Sequence, residues 1–247
     1  MLIDFHTHLD AYPDKTVLYE QLRNFDGTII AASMDIDSYK QNLQIAENIP
    51  RDGAVKIIPT FGIHPNRSQN WADRLSELDS FLEQSAIIGE IGLDYEWAKD
   101  SPHDKQIKVF RHILQHCHCS RKTCVVHTKG AEQDVLDILS DYPDAKIVIH
   151  WYDGPEEIFK KFIERGYRAT FGVETVRSPF LQKLLKMTPK DRLLAETDNP
   201  ESEVWLGGTR SDVGLIKKVY ADMAKILECP LQELEAQIQS NTESLLF

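Results

Sequence analysis

The feature that most constrains this chain is an alternation that repeats from one end to the other. Short apolar, β-branched runs are separated by segments whose apolar residues recur at helical spacing. Eight such runs can be placed, at 2–6, 28–32, 55–61, 87–91, 123–127, 146–150, 167–171 and 192–196. Between them, Ile107, Phe110, Ile113, Leu114 and Cys117 repeat as one helical face, and Ile158, Phe162 and Ile163 as another. Pro102 and Pro155 fall where helices would start, and Gly166 and Gly172 bracket the seventh run. A last helix is expected over about 212–227, followed by a helical tail. Strands that alternate with helices pair in parallel and need helical crossovers. Eight such units are the number that closes a barrel. No Gly-x-Gly-x-x-Gly turn follows the first run, as the open doubly wound alternative would favour. The expectation is an α/β fold, a single (β/α)8 barrel (TIM barrel) over residues 1–247.

Composition narrows the function. Hydrophobic residues make up 42% of the chain and charged residues 27%, enough to fill a sizeable core. The net charge of −11 argues against broad electrostatic attraction for duplex nucleic acid, so any such contact must be local. No apolar run approaches the roughly 20 residues that span a bilayer. The first fourteen residues carry acids and histidines where a signal peptide needs a cationic and then an apolar stretch. A cytoplasmic protein is expected. Four cysteines, three of them within 117–124, do not make a disulfide framework. Cys117 and Cys119, two apart on a helix, point in different directions and do not suggest zinc. His112 and His116, four apart, have the spacing for a surface metal but no further obvious ligand.

The chemistry lies at the strand ends. The first run ends in Asp4-Phe5-His6-Thr7-His8, the fourth at Glu90 before Asp94, the fifth at His127, the sixth at His150, and the eighth runs into Glu196-Thr197-Asp198. In a parallel barrel these ends share one face, the one on which active sites are built. Four histidines and several carboxylates are more than one metal needs. Alternate residues of an extended chain project to the same side, which pairs His6 with His8. Glu90 is placed to bridge two cations, His127 and His150 to serve the second, and Asp198 to bind the first and to orient or deprotonate water. Two ions roughly 3.5–4 Å apart would lower the pKa of water toward 7. Glu196 and Asp94 read as supporting acids or caps.

Several segments resemble the TatD family of metal-dependent hydrolases. They are His6-Thr7-His8, Gly62-Ile63-His64-Pro65, Gly89–Asp94, Val126-His127-Thr128, Ile149-His150-Trp151, Leu194–Asp198 and the closing Asn241–Phe247. They span the chain in order. The resemblance implies a deoxyribonuclease with two divalent metal ions, zinc, magnesium or manganese. It implies that His6, His8, Glu90 and Asp198 hold one ion, and Glu90, His127 and His150 the other. His64 is implied as a contact to substrate phosphate. Lys129 stands where many relatives carry arginine, keeping the charge but losing the bidentate fork. Arg210 alone resembles a basic, proline-containing element after Asp198, and Glu201 and Glu203 stand nearby. Lys129 and Arg210 are both expected to touch substrate, and Trp97 could stack on a base. The compact length and Asp10-Ala11-Tyr12-Pro13-Asp14 also resemble the TatD-like component of Qat-type anti-phage systems, which implies protein partners.

Two other functions fit the same residues. An amidohydrolase acting on a small amide, lactone or ester would use the same face, although many bridge their metals with a modified lysine where this chain has Glu90. A metal-stabilised scaffold that binds a partner would not need an open coordination position.

Overall fold

The computed structural model describes residues 1–50 and 53–246. In chain order its elements are β1 (Leu2–Thr7), α1 (Lys15–Arg23), β2 (Gly27–Ala31), α2 (Ile36–Glu47), β3 (Val55–Pro59), α3 (Asp79–Gln84), β4 (Ile87–Asp94), α4 (His103–Ser120) and β5 (Thr123–Lys129). Then follow α5 (Glu132–Leu139), β6 (Lys146–Ile149), α6 (Glu156–Glu164), β7 (Arg168–Phe171), α7 (Pro179–Met187), β8 (Leu193–Ala195), α8 (Ser202–Trp205), α9 (Leu215–Ile226) and α10 (Leu231–Leu246). Each of the eight expected runs is a strand. β4 and β5 run further than expected because Leu93 and Asp94 pair with Thr128 and Lys129.

All strand pairings are parallel, in the orders β1-β2-β3 and β4-β5-β6-β7-β8. The two sheets meet where Phe61, just past β3, bridges to Ile88 and accepts from Gly89 N at 2.9 Å. The other seam is closed by Asp198 N donating to His6 O at 2.9 Å and His8 N donating to Asn199 O at 2.8 Å. The result is the (β/α)8 barrel. Apart from β3, where Lys56 is exposed, its strands are mostly buried on both faces, so they read as mainly apolar runs rather than alternating ones.

Local chemistry sets the helix starts. Asp14 accepts from Thr16 N and Val17 N at the start of α1, Asp35 from Ser38 N at α2, and Ser178 from Leu181 N ahead of Pro179 at α7. The Asp10–Asp14 segment thus has a structural role: Asp14 caps, Tyr12 is buried, and Lys15 Nζ binds the carbonyls of Leu9, Asp10 and Tyr12. At the other end, Asn241 donates to Lys190 O and Leu193 O, both at 2.8 Å, and ties α10 to β8. Phe247, the last residue of that C-terminal motif, lies outside the described residues. No described helix is long and apolar enough to cross a membrane.

Cys117 of α4 and Cys124 of β5 stand side by side, their Cα atoms 6.7 Å apart. The turn between α4 and β5 folds the chain back within seven residues and brings both buried sulfurs together, a proximity that cysteine count alone does not reveal.

Candidate metal centre

Two irregularities in the barrel wall aim the central side chains. Between Asp4 and Thr7, β1 advances three residues while β2 advances two, from Ile29 to Ala31. Between Ile88 and Ile91, β4 does the same against Cys124 to Val126. An extra residue in one strand re-aims the side chains beside it, and these two positions carry His6 and Glu90. Glycines admit the close backbone approaches around them. A Cβ at Gly62 would lie 2.3 Å from Glu90 O, and one at Gly92, whose φ is +141°, would lie 2.1 Å from His127 O.

Glu90 is 3% exposed and its two oxygens divide the histidines. Oε2 lies 3.6 Å from both His6 Nε2 and His8 Nε2. Oε1 lies 2.8 Å from His150 Nε2, 2.9 Å from His127 Nδ1 and 3.5 Å from His64 Nε2. Asp198 Oδ1 closes the first group, 3.2 Å from His8 Nε2 and 3.6 Å from His6 Nε2. The His6 and His150 rings stack at 3.9 Å across the boundary between the groups. All six residues expected to hold metal are therefore in one cluster, on the face where the strands end. Its ligand atoms fall into overlapping sets: His6, Glu90 and His150; His6, His8 and Asp198; His64, Glu90 and His127.

The surroundings decide which ring nitrogens carry lone pairs. His127 Nε2 lies 3.2 Å from Asp94 Oδ2, a carboxylate that can only accept, so Nδ1 turns its lone pair toward Glu90. His150 Nδ1 faces Glu196 Oε2 at 3.4 Å, and the same acid accepts from Trp151 N at 2.9 Å. His64 is arranged the other way. Its Nδ1 accepts from Asn66 N at 3.2 Å, which leaves the proton on the Nε2 that faces Glu90. Burial pulls the His64 pKa down to about 4, so the ring is neutral near pH 7 and presents an N–H donor rather than a ligand lone pair.

Buried charge surrounds this cluster. Burial alone would raise the pKa of Glu90, but the histidines around it outweigh burial and hold it well below the usual range. Burial likewise works against a charged His8, and the Asp198 carboxylate reverses this and brings its pKa to about 9. Asp198 itself sits in left-handed backbone, at φ +54°. Asp4 holds that segment in place by accepting from Thr197 N at 3.0 Å and Thr197 Oγ1 at 2.6 Å. Burial raises the Asp4 pKa to about 8.

The residues expected to touch substrate are spread around the mouth. His64 and Lys129 line it, together with Trp97, Trp151, Asp153, Glu201 and Trp205. Lys129 Nζ lies over the Trp97 ring at 4.6 Å and is paired with Asp153, with Glu96 at 3.8 Å. Arg210 lies outside the mouth, in a neighbouring cleft with Tyr12 and Pro200, and its guanidinium is bound to Glu201. Trp205 and Trp151 were not singled out from sequence. Trp97 and Trp205 are 60% and 55% exposed, 6.5 Å apart, and Trp151 meets Trp205 edge-on at 5.7 Å. The only sequence signal for Trp151 was its place directly after His150.

The donor chemistry fits divalent cations. Imidazole nitrogens mixed with carboxylate oxygens suit zinc, manganese and their neighbours. Asp198 Oδ1 is buried, faces two imidazoles and makes no hydrogen bond. A buried ionised oxygen so placed calls for positive charge, which a protonated His8 supplies in the metal-free chain and a bound cation would supply in its place. A parallel barrel carrying such a cluster at its strand ends belongs to the metal-dependent hydrolases.

Comparison with known proteins gives the family. Residues 3–246 match the family model described as TatD related DNase. The chain is 25% identical to an uncharacterized metal-dependent hydrolase of Methanocaldococcus jannaschii, over 97% of this chain and 94% of that one. It is 27% identical to the human 3'-5' RNA nuclease TATDN2 over 75% of this chain, which is 26% of that longer protein. The crystal structure of a TatD family hydrolase from Entamoeba histolytica superposes with a TM-score of 0.86 at 21% identity, covering 100% of this chain and 98% of the other. The chain belongs to the TatD family.

Proposed function

We propose that this chain hydrolyses phosphodiester bonds in nucleic acid, DNA foremost, with two divalent cations held on either side of Glu90. The division of its two oxygens between separate histidine groups carries this reading. Glu90 Oε2, His6, His8 and Asp198 would hold one ion, and Glu90 Oε1, His127 and His150 the other. Zinc, manganese and magnesium are the ions in view; bound, such ions lower the pKa of water toward 7 and offset charge on a phosphoryl group. Asp198 accepts the proton of the attacking water. His64 Nε2–H donates to a phosphate oxygen, a role its tautomer supports. Trp97 and Trp205 offer exposed faces on which bases stack, a contact that does not require a basic surface. Lys129 neutralises phosphate once it leaves Asp153. In this reading residues 1–247 form one catalytic domain that works in the cytoplasm. The relatives named above lend no support to a role in an anti-phage complex.

The test is a cleavage assay on matched single- and double-stranded DNA and RNA oligonucleotides with zinc, manganese or magnesium, comparing wild type with Glu90→Gln. Cation-dependent DNA cleavage that disappears in the variant is expected. An inactive wild type under every cation, or a variant that cleaves equally well, contradicts the proposal.

One observation favours a second reading. Both cations expected to contact substrate are engaged by acids, Lys129 by Asp153 and Arg210 by Glu201. A small neutral amide, lactone or ester would not need them released. The same preparations tested on such substrates separate the two readings.

A further inference from the structure

We propose that Asp79, His112 and His116 form an additional cation site on the helical layer, taking a divalent transition metal such as zinc. The site is independent of the central cluster, since none of the three residues lines the barrel mouth. Asp79 opens α3, and His112 and His116 stand one turn apart on α4. Residues four apart on a helix project from the same face, which points both rings at the neighbouring helix. His112 Nε2 lies 2.8 Å from Asp79 Oδ1, and His116 Nε2 lies 3.1 Å from the same oxygen. The two rings are 5.2 Å apart. One ligand atom from each residue falls within 4.8 Å of the others.

These separations are close to those of a chelate. Bonds of about 2.0–2.1 Å to a tetrahedral ion place ligand atoms roughly 3.3 Å apart, and the two His–Asp separations, 2.8 and 3.1 Å, fall just short of that. Without an ion each ring can donate its Nε2–H to this carboxylate oxygen, and a bound ion would take up both Nε2 lone pairs in place of those protons. With two nitrogens and one oxygen, the site suits zinc, nickel or copper over calcium or magnesium, which prefer oxygen. The side chains of His112, His116 and Asp79 are 23%, 32% and 38% exposed, leaving an open side for water as a fourth ligand. A bound ion would tie α3 to α4, and an ion that binds only the folded chain stabilises it.

The test uses the full chain after removal of metal and re-equilibration with zinc. Wild type is expected to retain one more zinc per chain than His112→Gln/His116→Gln or Asp79→Asn, and zinc to raise its melting temperature further. Hydrolysis by the variants is expected to match wild type, which separates this site from the catalytic one. Wild-type crystals grown with zinc should give an anomalous peak between the three side chains, a readout that does not depend on the variants folding. Equal zinc content in wild type and variants, or a map with no peak there, overturns the proposal.

Discussion

Asp94 accepts from His127 Nε2 at 3.2 Å, and this contact leaves His127 Nδ1 directed at Glu90 Oε1, 2.9 Å away. The acid therefore sets which nitrogen is free to bind a cation. Asp94 also accepts from Glu96 N and Trp97 N, bonds that the amide oxygen of Asn can keep. Asp94→Asn is expected to fold normally and to bind cations about 10–100-fold more weakly, as losses of such supporting acids typically do. Isothermal titration with zinc or manganese measures it, and unchanged affinity would count against the assigned tautomer.

His64 contributes a hydrogen-bond donor in this account and not a ligand. His64→Gln should keep its full complement of cations while kcat falls about 10²–10³-fold, the usual cost of removing one donor to developing negative charge. Metal analysis alongside steady-state kinetics distinguishes the roles. Loss of a cation in the variant would make His64 a ligand.

Aromatic stacking predicts a selective defect. Trp97→Ala and Trp205→Ala should each weaken binding of a single-stranded oligonucleotide by about 1–3 kcal/mol. Hydrolysis of a small chromogenic phosphodiester, which has no neighbouring bases, should be unchanged. Equal losses on both substrates would show that the tryptophans shape the site itself.

Glu174 gives a pH signature in the metal-free protein. It is buried, its Oε2 has no hydrogen-bond partner, and burial, with Glu196 and Asp198 nearby, raises its pKa to about 8. An acid whose pKa is raised on folding destabilises the fold increasingly as pH climbs from its unfolded pKa through the folded one. Glu174→Gln removes that penalty, so its stability gain over wild type should be small near pH 5 and reach a few kcal/mol above pH 8. Urea denaturation at both pH values in the presence of chelator measures it. A gain that does not change with pH would sink the assignment.

The barrel was legible in sequence because most of its strand residues are buried, so the strands appear as mainly apolar runs broken by few charges, Lys56 in β3 among them. The central cluster was legible because parallel strands bring their ends to one face, where His6, Glu90, His127, His150 and Asp198 follow directly from chain order. What escaped detection depends on folds of the chain between distant points. Asp79 meets His112 from 33 residues away, and Asp4 holds Thr197 from 193 away. Trp205 reaches Trp97 only through the loop after β8. The proton on His64 Nε2 depends on a turn that aims Asn66 N at Nδ1. Arg210, expected at the substrate, is drawn instead to Glu201, a pairing that charge alone could not place.

The central claim is that Glu90 stands between two cations. Anomalous diffraction from crystals equilibrated with zinc or manganese tests it most directly. The account predicts two peaks, one among Glu90 Oε2, His6, His8 and Asp198, and one among Glu90 Oε1, His127 and His150. A single peak, or none among these side chains at saturating metal, would contradict it.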